Sequence, residues 1–195
     1  MSRDVTFRHA ALAAGLMLVL SIASGCSTTG TGQIPLGRWS GTGTFAYESW
    51  QENHVANIHR DYPTHLDISR TTLDGHDVIL VDILSERGQV EDMGEQSHLR
   101  FALEPAERRS DTILLYRIVD LEFNPDADDE LSYKPAEPTR EASCISTGRA
   151  TILQIDYNDN FADTYRFEGL RLHKMGTYYQ HDSGMIHWTE TLHRR

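Results

Sequence analysis

Between residues 39 and 50 apolar and polar side chains alternate, with Trp39, Gly41, Gly43, Phe45 and Tyr47 in one phase and Ser40, Thr42, Thr44 and Glu48 in the other. A period of two is the spacing of a strand that turns one face to a core. Leu99, Phe101 and Leu103 alternate with His98, Arg100 and Glu104 in the same way. Helical periodicity is scarce beyond residue 36. Further strands are predicted over Thr64–Arg70, Val78–Ser85, Thr112–Phe123, Ala142–Ser146, Ala150–Tyr157, Phe161–Leu172, Thr177–His181 and Met185–Leu192.

Several connections are short and rich in residues that tolerate positive φ: Leu73-Asp74-Gly75-His76, Thr147-Gly148-Arg149, Asn158-Asp159-Asn160 and Asp182-Ser183-Gly184. About nine or ten strands joined in order by such turns favour an all-β fold, a single antiparallel up-and-down barrel, which leaves no open sheet edge. A sandwich is the main alternative. The polar segment Asn124–Glu141 carries Pro125, Pro135 and Pro138 and is predicted as a surface loop.

The first strand opens with Gly37-Arg38-Trp39, which resembles the G-x-W signature of lipocalins and their calycin relatives. Ile155-Asp156-Tyr157-Asn158-Asp159-Asn160-Phe161-Ala162 is similar to the T-D-Y-x-x-Y-A hairpin of that family, with Ile155 for the threonine, Phe161 for the later aromatic and a turn one residue longer. The resemblance implies a barrel of calycin type, with Trp39 plugging one end. The third lipocalin motif, with its arginine, is not found, and no C-terminal helix follows the last strand; Arg194 or Arg195 is the candidate to stack near Trp39. The opening Gly37-x-Trp39-x-Gly41-x-Gly43 together with His187 is also similar to the haem-binding nitrobindins, in which a late histidine binds the iron. Their Tyr-Pro after the glycines is missing here. Ile186, Trp188 and Leu192 share one strand face and His187 and His193 the other, so an inward apolar set turns His187 to solvent.

At the start of the chain Arg3 and Arg8 precede the apolar run Ala10–Ile22, and Ala23-Ser24-Gly25-Cys26 follows. A membrane-crossing helix needs about 20 apolar residues, so this run has the length of a signal-peptide core. Ala23-Ser24-Gly25-Cys26 resembles the lipobox of bacterial lipoproteins. That resemblance implies cleavage before Cys26 and acylation of its thiol and new amino terminus, which makes the lipid membrane a partner. Ser27, where Asp is absent, implies the outer membrane of a Gram-negative envelope. The expected segments are a signal peptide over 1–25, a Ser-, Thr- and Gly-rich tether over 26–35 and the barrel over 36–195.

Removing the presequence from the 195 residues leaves enough chain for one hydrophobic core and takes the formal charge from −11 to about −12. No concentrated basic run accompanies it, which argues against nucleic acid as a partner. With Cys26 acylated, Cys144 is alone, so no intramolecular disulfide is expected; its strand context reads as a small buried hydrophobe.

Candidate chemistry is sparse. The ten histidines include His54, His59 and His65, and His181, His187 and His193, none at a spacing that places zinc ligands together. On a straight strand His187 and His193 would stand about 20 Å apart. Asp126, Asp128, Asp129 and Glu130 match a calcium loop only in charge density. There is no G-x-S-x-G turn, no cysteine with a positioned histidine and no carboxylate pair fixed by a motif, so neither catalysis nor a metal or cofactor is expected. The predicted function is a non-enzymatic envelope lipoprotein. Trp39, Phe45, Tyr47, Phe101, Tyr165 and Phe167 are predicted to line or close a cavity for a small apolar or amphipathic ligand; Gly41, Gly43 and Gly169 favour room inside, and the many large aromatics argue against it. The alternative is a barrel packed by its own side chains, acting through its acidic loops and protein partners.

Overall fold

The computed structural model of the chain describes residues 33–49, 58–86, 97–126, 129, 131–135, 137–180 and 184–195. The presequence, Cys26 and the tether through residue 32 lie outside the described residues, as do His54, Asp128, Glu130, His181 and the predicted turn at Asp182-Ser183.

Ten strands follow one another: β1 (Gly37–Ser49), β2 (Ile58–Leu73), β3 (His76–Ser85), β4 (Ser97–Arg108), β5 (Ile113–Phe123), β6 (Glu141–Ser146), β7 (Thr151–Asn158), β8 (Phe161–Glu168), β9 (Arg171–Gln180) and β10 (Gly184–Arg194). Each pairs antiparallel with the next, and β10 returns to β1 with Trp39 opposite Arg194 and Phe45 opposite Trp188. The barrel is therefore closed and up-and-down, as the alternation predicts, and the sandwich is set aside. It has ten strands, against the eight of lipocalin barrels.

The β8–β9 junction and the start of β2 differ most from the sequence expectation, for physical reasons. Alternation runs on past residue 168, which suggests one strand to Leu172, but the chain turns at Gly169-Leu170 with Gly169 at φ 59°. The inward phase is odd in β8 (Asp163, Tyr165, Phe167) and even in β9 (Leu172, Lys174), and this flip marks the hairpin. In β2 Pro63 sits inside a strand opposite Thr42. Its carbonyl accepts from Glu86 N at 3.0 Å, so its ring nitrogen faces the end of β3 and the β1–β2 ladder loses no hydrogen bond.

The inward side chains form two apolar clusters. The larger begins at the end where β1 starts, with Trp39 against Phe167 (ring centroids 5.5 Å), and continues through Leu66, Val81, Phe101, Ile118, Leu153 and Leu192. Ile34, within the predicted tether, is already buried in it, so packing begins two residues before Leu36. The Arg194 guanidinium lies over Trp39 at 5.9 Å. Cys144 is buried in the same cluster, and burial pushes its thiol up to about 11. The smaller cluster, Phe45, Tyr62, Ile186 and Trp188, lies toward the opposite end, the mouth.

The segment after β5 is a surface loop, but part of it is strapped down. Leu131 and Tyr133 pack on Leu73, Val78, Ala102 and Val119 outside the barrel. Lys134 N donates to Val119 O (2.8 Å) and the Tyr133 hydroxyl to Glu104 Oε2 (2.8 Å). The register shift opposite Ala102 and Leu103 leaves Val119 as the extra residue of β5, and it packs into this outer patch.

Candidate functional site

Between the two apolar clusters the barrel carries a charged layer. Asp163 (β8), Lys174 (β9) and Glu190 (β10) all fall on inward positions of adjacent strands and are 4 % exposed or less. Lys174 Nζ stands 3.5 Å from Asp163 Oδ2 and 3.2 Å from Glu190 Oε2. One ammonium thus faces two carboxylates, and polar donors hold the excess negative charge. Asp163 Oδ2 accepts from the Tyr157 and Tyr165 hydroxyls, each at 3.2 Å, and Oδ1 from Trp188 Nε1 at 2.9 Å. Glu190 Oε1 accepts from the Tyr62 hydroxyl at 2.8 Å and, more weakly, from Thr64 and Ser85 at 3.4 Å. Lys174 also lies 5.7 Å from the ring centres of Tyr165 and Trp188, within cation–π range.

Burial raises the pKa of Asp163 above the ordinary carboxylate value even though Lys174 pulls it down. Burial, reinforced by the Asp163 charge, holds Tyr157 and Tyr165 well above the usual phenol range. Two glycines make the geometry fit. A Cβ at Gly176 would stand 2.0 Å from Asp163 Oδ1 and 2.2 Å from the Trp188 ring; one at Gly43 would stand 2.6 Å from Tyr62. Gly43 therefore does not leave empty space, because Tyr62 and Glu190 fill it, and a Cβ at Gly41 would meet the Thr191 carbonyl. Gly169 lies in a turn, away from the interior.

Above this layer the barrel opens into a pocket of about 310 Å³ lined by Ser97, Phe123, Asn158, Phe161, Tyr178, Ile186 and Trp188. Phe161 is the hub of its aromatic wall. It stacks on Tyr157 at 4.4 Å and meets Trp188 and Phe123 at 5.6 Å each and Tyr178 at 6.2 Å. Phe123 and Tyr178 are 53 % and 38 % exposed, unusual for large rings. The pocket can hold a flat or branched apolar group by stacking, with Asn158 and Ser97 as polar anchors. Trp188 joins the two parts: its ring lines the pocket and its N–H is fixed by Asp163 below.

The residues nominated from sequence divide. Phe45, Phe101, Tyr165 and Phe167 are buried against one another or their neighbours, Phe45 on Tyr62 at 5.9 Å and Phe101 on Tyr157 at 5.3 Å. Trp39 seals the opposite end, and Tyr47 is half-buried beside the smaller cluster. None of the six lines the mouth pocket. Asp163, Lys174 and Glu190 escaped the sequence reading although the signal was present, since each is a charged residue in phase with inward apolar ones. His187 is on the outer phase of β10, 3.5 Å from Thr177 Oγ1, and His193 is exposed on the same side.

The fold and the layered interior define a calycin-like antiparallel barrel. No family model matches the chain, and no curated protein matches it.

Proposed function

We propose that this chain is a lipid-anchored envelope protein, held at Cys26 in the outer membrane, whose barrel takes a small apolar or aromatic ligand at its mouth without altering it. The observation that carries the ligand reading is the aromatic pocket at the mouth, with Phe123 and Tyr178 exposed above Trp188. The nominated aromatics then act from beneath: Phe45 supports Trp188 through the smaller cluster, while Tyr165 holds the polar layer on which Trp188 rests. Haem ligation by His187 has no place in this reading, because its ring is on the outer face. Anchoring rests on the lipobox-like Ala23-Ser24-Gly25-Cys26.

Titrating the full-length protein with the apolar fluorophore N-phenyl-1-naphthylamine tests the pocket. Saturable binding at one probe per chain, weakened at least tenfold in Phe161→Ser, is the expected result. Binding unaffected by Phe161→Ser and Phe123→Ser would overturn it. For the anchor, labelling with alkyne-palmitate in a Gram-negative host should mark the wild-type chain and not Cys26→Ser.

A second reading, a packed barrel that works through protein partners, is favoured by the contact of Trp39, Phe101, Tyr157, Tyr165 and Phe167 along the barrel interior. On that reading the exposed Phe123 and Tyr178 belong to a protein interface, and no probe binds.

A further inference from the structure

The arginines of this acidic protein divide by whether they meet a carboxylate. Arg38, Arg100, Arg109, Arg117, Arg140 and Arg166 each pair with a carboxylate. Among the described residues Arg70, Arg108, Arg149, Arg171, Arg194 and Arg195 are exposed and have no carboxylate partner. All six sit at the Trp39 end: near the end of β2, at the end of β4, in the β6–β7 turn, at the start of β9 and at the chain terminus.

Two of them enter a pocket of about 400 Å³ at that end. Arg70 and Arg108 line it with Thr71, Thr72, the buried Tyr116 and the apolar walls Val78, Ile79, Pro105 and Leu114. Burial drives the Tyr116 hydroxyl up to about 12, and both guanidiniums oppose that rise, so their charge is felt at the pocket floor. Among the described residues Asp77 is the single carboxylate of the lining, and it accepts from Thr72 Oγ1 at 3.2 Å. Two guanidiniums beside hydroxyls are a phosphate-binding set, and the apolar walls suit the glycerol and first methylenes next to a phosphodiester.

Gln33, where the chain emerges from the barrel, also lines this pocket. It stands seven residue steps along the chain from Cys26. At 3.3–3.6 Å per residue that is at most about 25 Å of chain. We infer that the Arg70–Arg108 pocket binds the phosphate headgroup of an anionic phospholipid, in the membrane that the tether reaches. Arg149, Arg171, Arg194 and Arg195 add positive charge at the same end of the barrel. The chemistry of the pocket stands on the barrel alone; its placement at a membrane rests on the anchor proposed above.

The test is calorimetric titration of the full-length protein in nonionic detergent with dihexanoylphosphatidylglycerol, dihexanoylphosphatidylcholine and inorganic phosphate. The glycerol lipid should bind at one site, at least tenfold more tightly than either of the others. Arg70→Gln with Arg108→Gln should weaken it at least tenfold, and Arg149→Gln with Arg171→Gln less than twofold. Equal binding of the two lipids, or no loss in the Arg70/Arg108 variant, overturns the inference. Inorganic phosphate binding as tightly as the glycerol lipid also overturns it and assigns the site to free phosphate. A chain that is not acylated at Cys26 but still binds the glycerol lipid through Arg70 and Arg108 removes the anchor and supports the site.

Discussion

The two ends of the barrel close in different ways. At the Trp39 end, Trp39, Phe167, Leu66 and Ile34 fill the interior, and Arg194 covers the indole from outside. At the mouth, Phe45, Tyr62, Ile186 and Trp188 form a thinner apolar layer resting on Asp163, Lys174 and Glu190, and a pocket opens above it. Apolar packing fills the interior at the first end, with the Arg70–Arg108 pocket beside it. The second needs a charged layer to hold its aromatic floor in one orientation, since the Trp188 N–H has a fixed acceptor in Asp163. Such a layer carries a desolvation cost that an all-apolar core avoids. The layer lies directly beneath the aromatic mouth pocket, and Trp188 joins the two.

Removing the central charge should have the largest effect. Lys174→Met leaves Asp163 and Glu190 buried without their cation and should cost about 3–5 kcal/mol. Chemical denaturation would measure this, and adding Asp163→Asn and Glu190→Gln should recover most of the loss. An effect below 1 kcal/mol for Lys174→Met alone would show that the layer does not depend on its ion pairs. Next comes Gly176→Ala, which drives a methyl group into Asp163 and Trp188 and should cost about 1–3 kcal/mol or more. Gly169→Ala, in the β8–β9 turn where nothing stands within 4 Å, carries only the smaller cost of its positive φ, about 1 kcal/mol.

The charged layer also predicts a pH dependence. The folded-state pKa of Asp163 lies above its ordinary 3.8, so its contribution to stability is fully present below that value and is lost as pH rises through the folded pKa. Wild-type unfolding free energy should therefore fall along that upward path more than that of Asp163→Asn. Equal slopes in pH-resolved denaturation would remove Asp163 from the account. The smallest stability effect belongs to the rim. Phe123→Ser should change stability by less than about 0.5 kcal/mol while weakening probe binding, which separates the mouth from the core.

Much of the fold was legible because alternation is a direct record of which face a strand buries. The ten strands, the hairpins at Asp74-Gly75, Gly148 and Asp159, the buried Cys144 and the outward His187 all follow from it. Of the two candidate arginines, Arg194 lies over Trp39. The β8–β9 hairpin was missed because apolar residues continue across Gly169, and only the switch from odd to even phase marks the turn. The candidate site was less legible. Large aromatics on the inward phase suggest a lined cavity, yet they are big enough to fill it, as Phe101 on β4 does against Tyr157 on β7. A strand pattern does not report the distance across a barrel. Asp163, Lys174 and Glu190 lie far apart in sequence and become one cluster only through the β8–β9–β10 register, which no local motif encodes.

The central claim is that ligand is held at the mouth above the charged layer, not along the barrel interior. Energy transfer from tryptophan to bound N-phenyl-1-naphthylamine tests this most directly, in a Trp50→Phe background. Trp188 lines the mouth pocket, and Trp39 seals the opposite end. The account predicts that transfer collapses in Trp188→Phe and persists in Trp39→Phe. Transfer that persists without Trp188 and is lost without Trp39 would put the probe at the sealed end and contradict it.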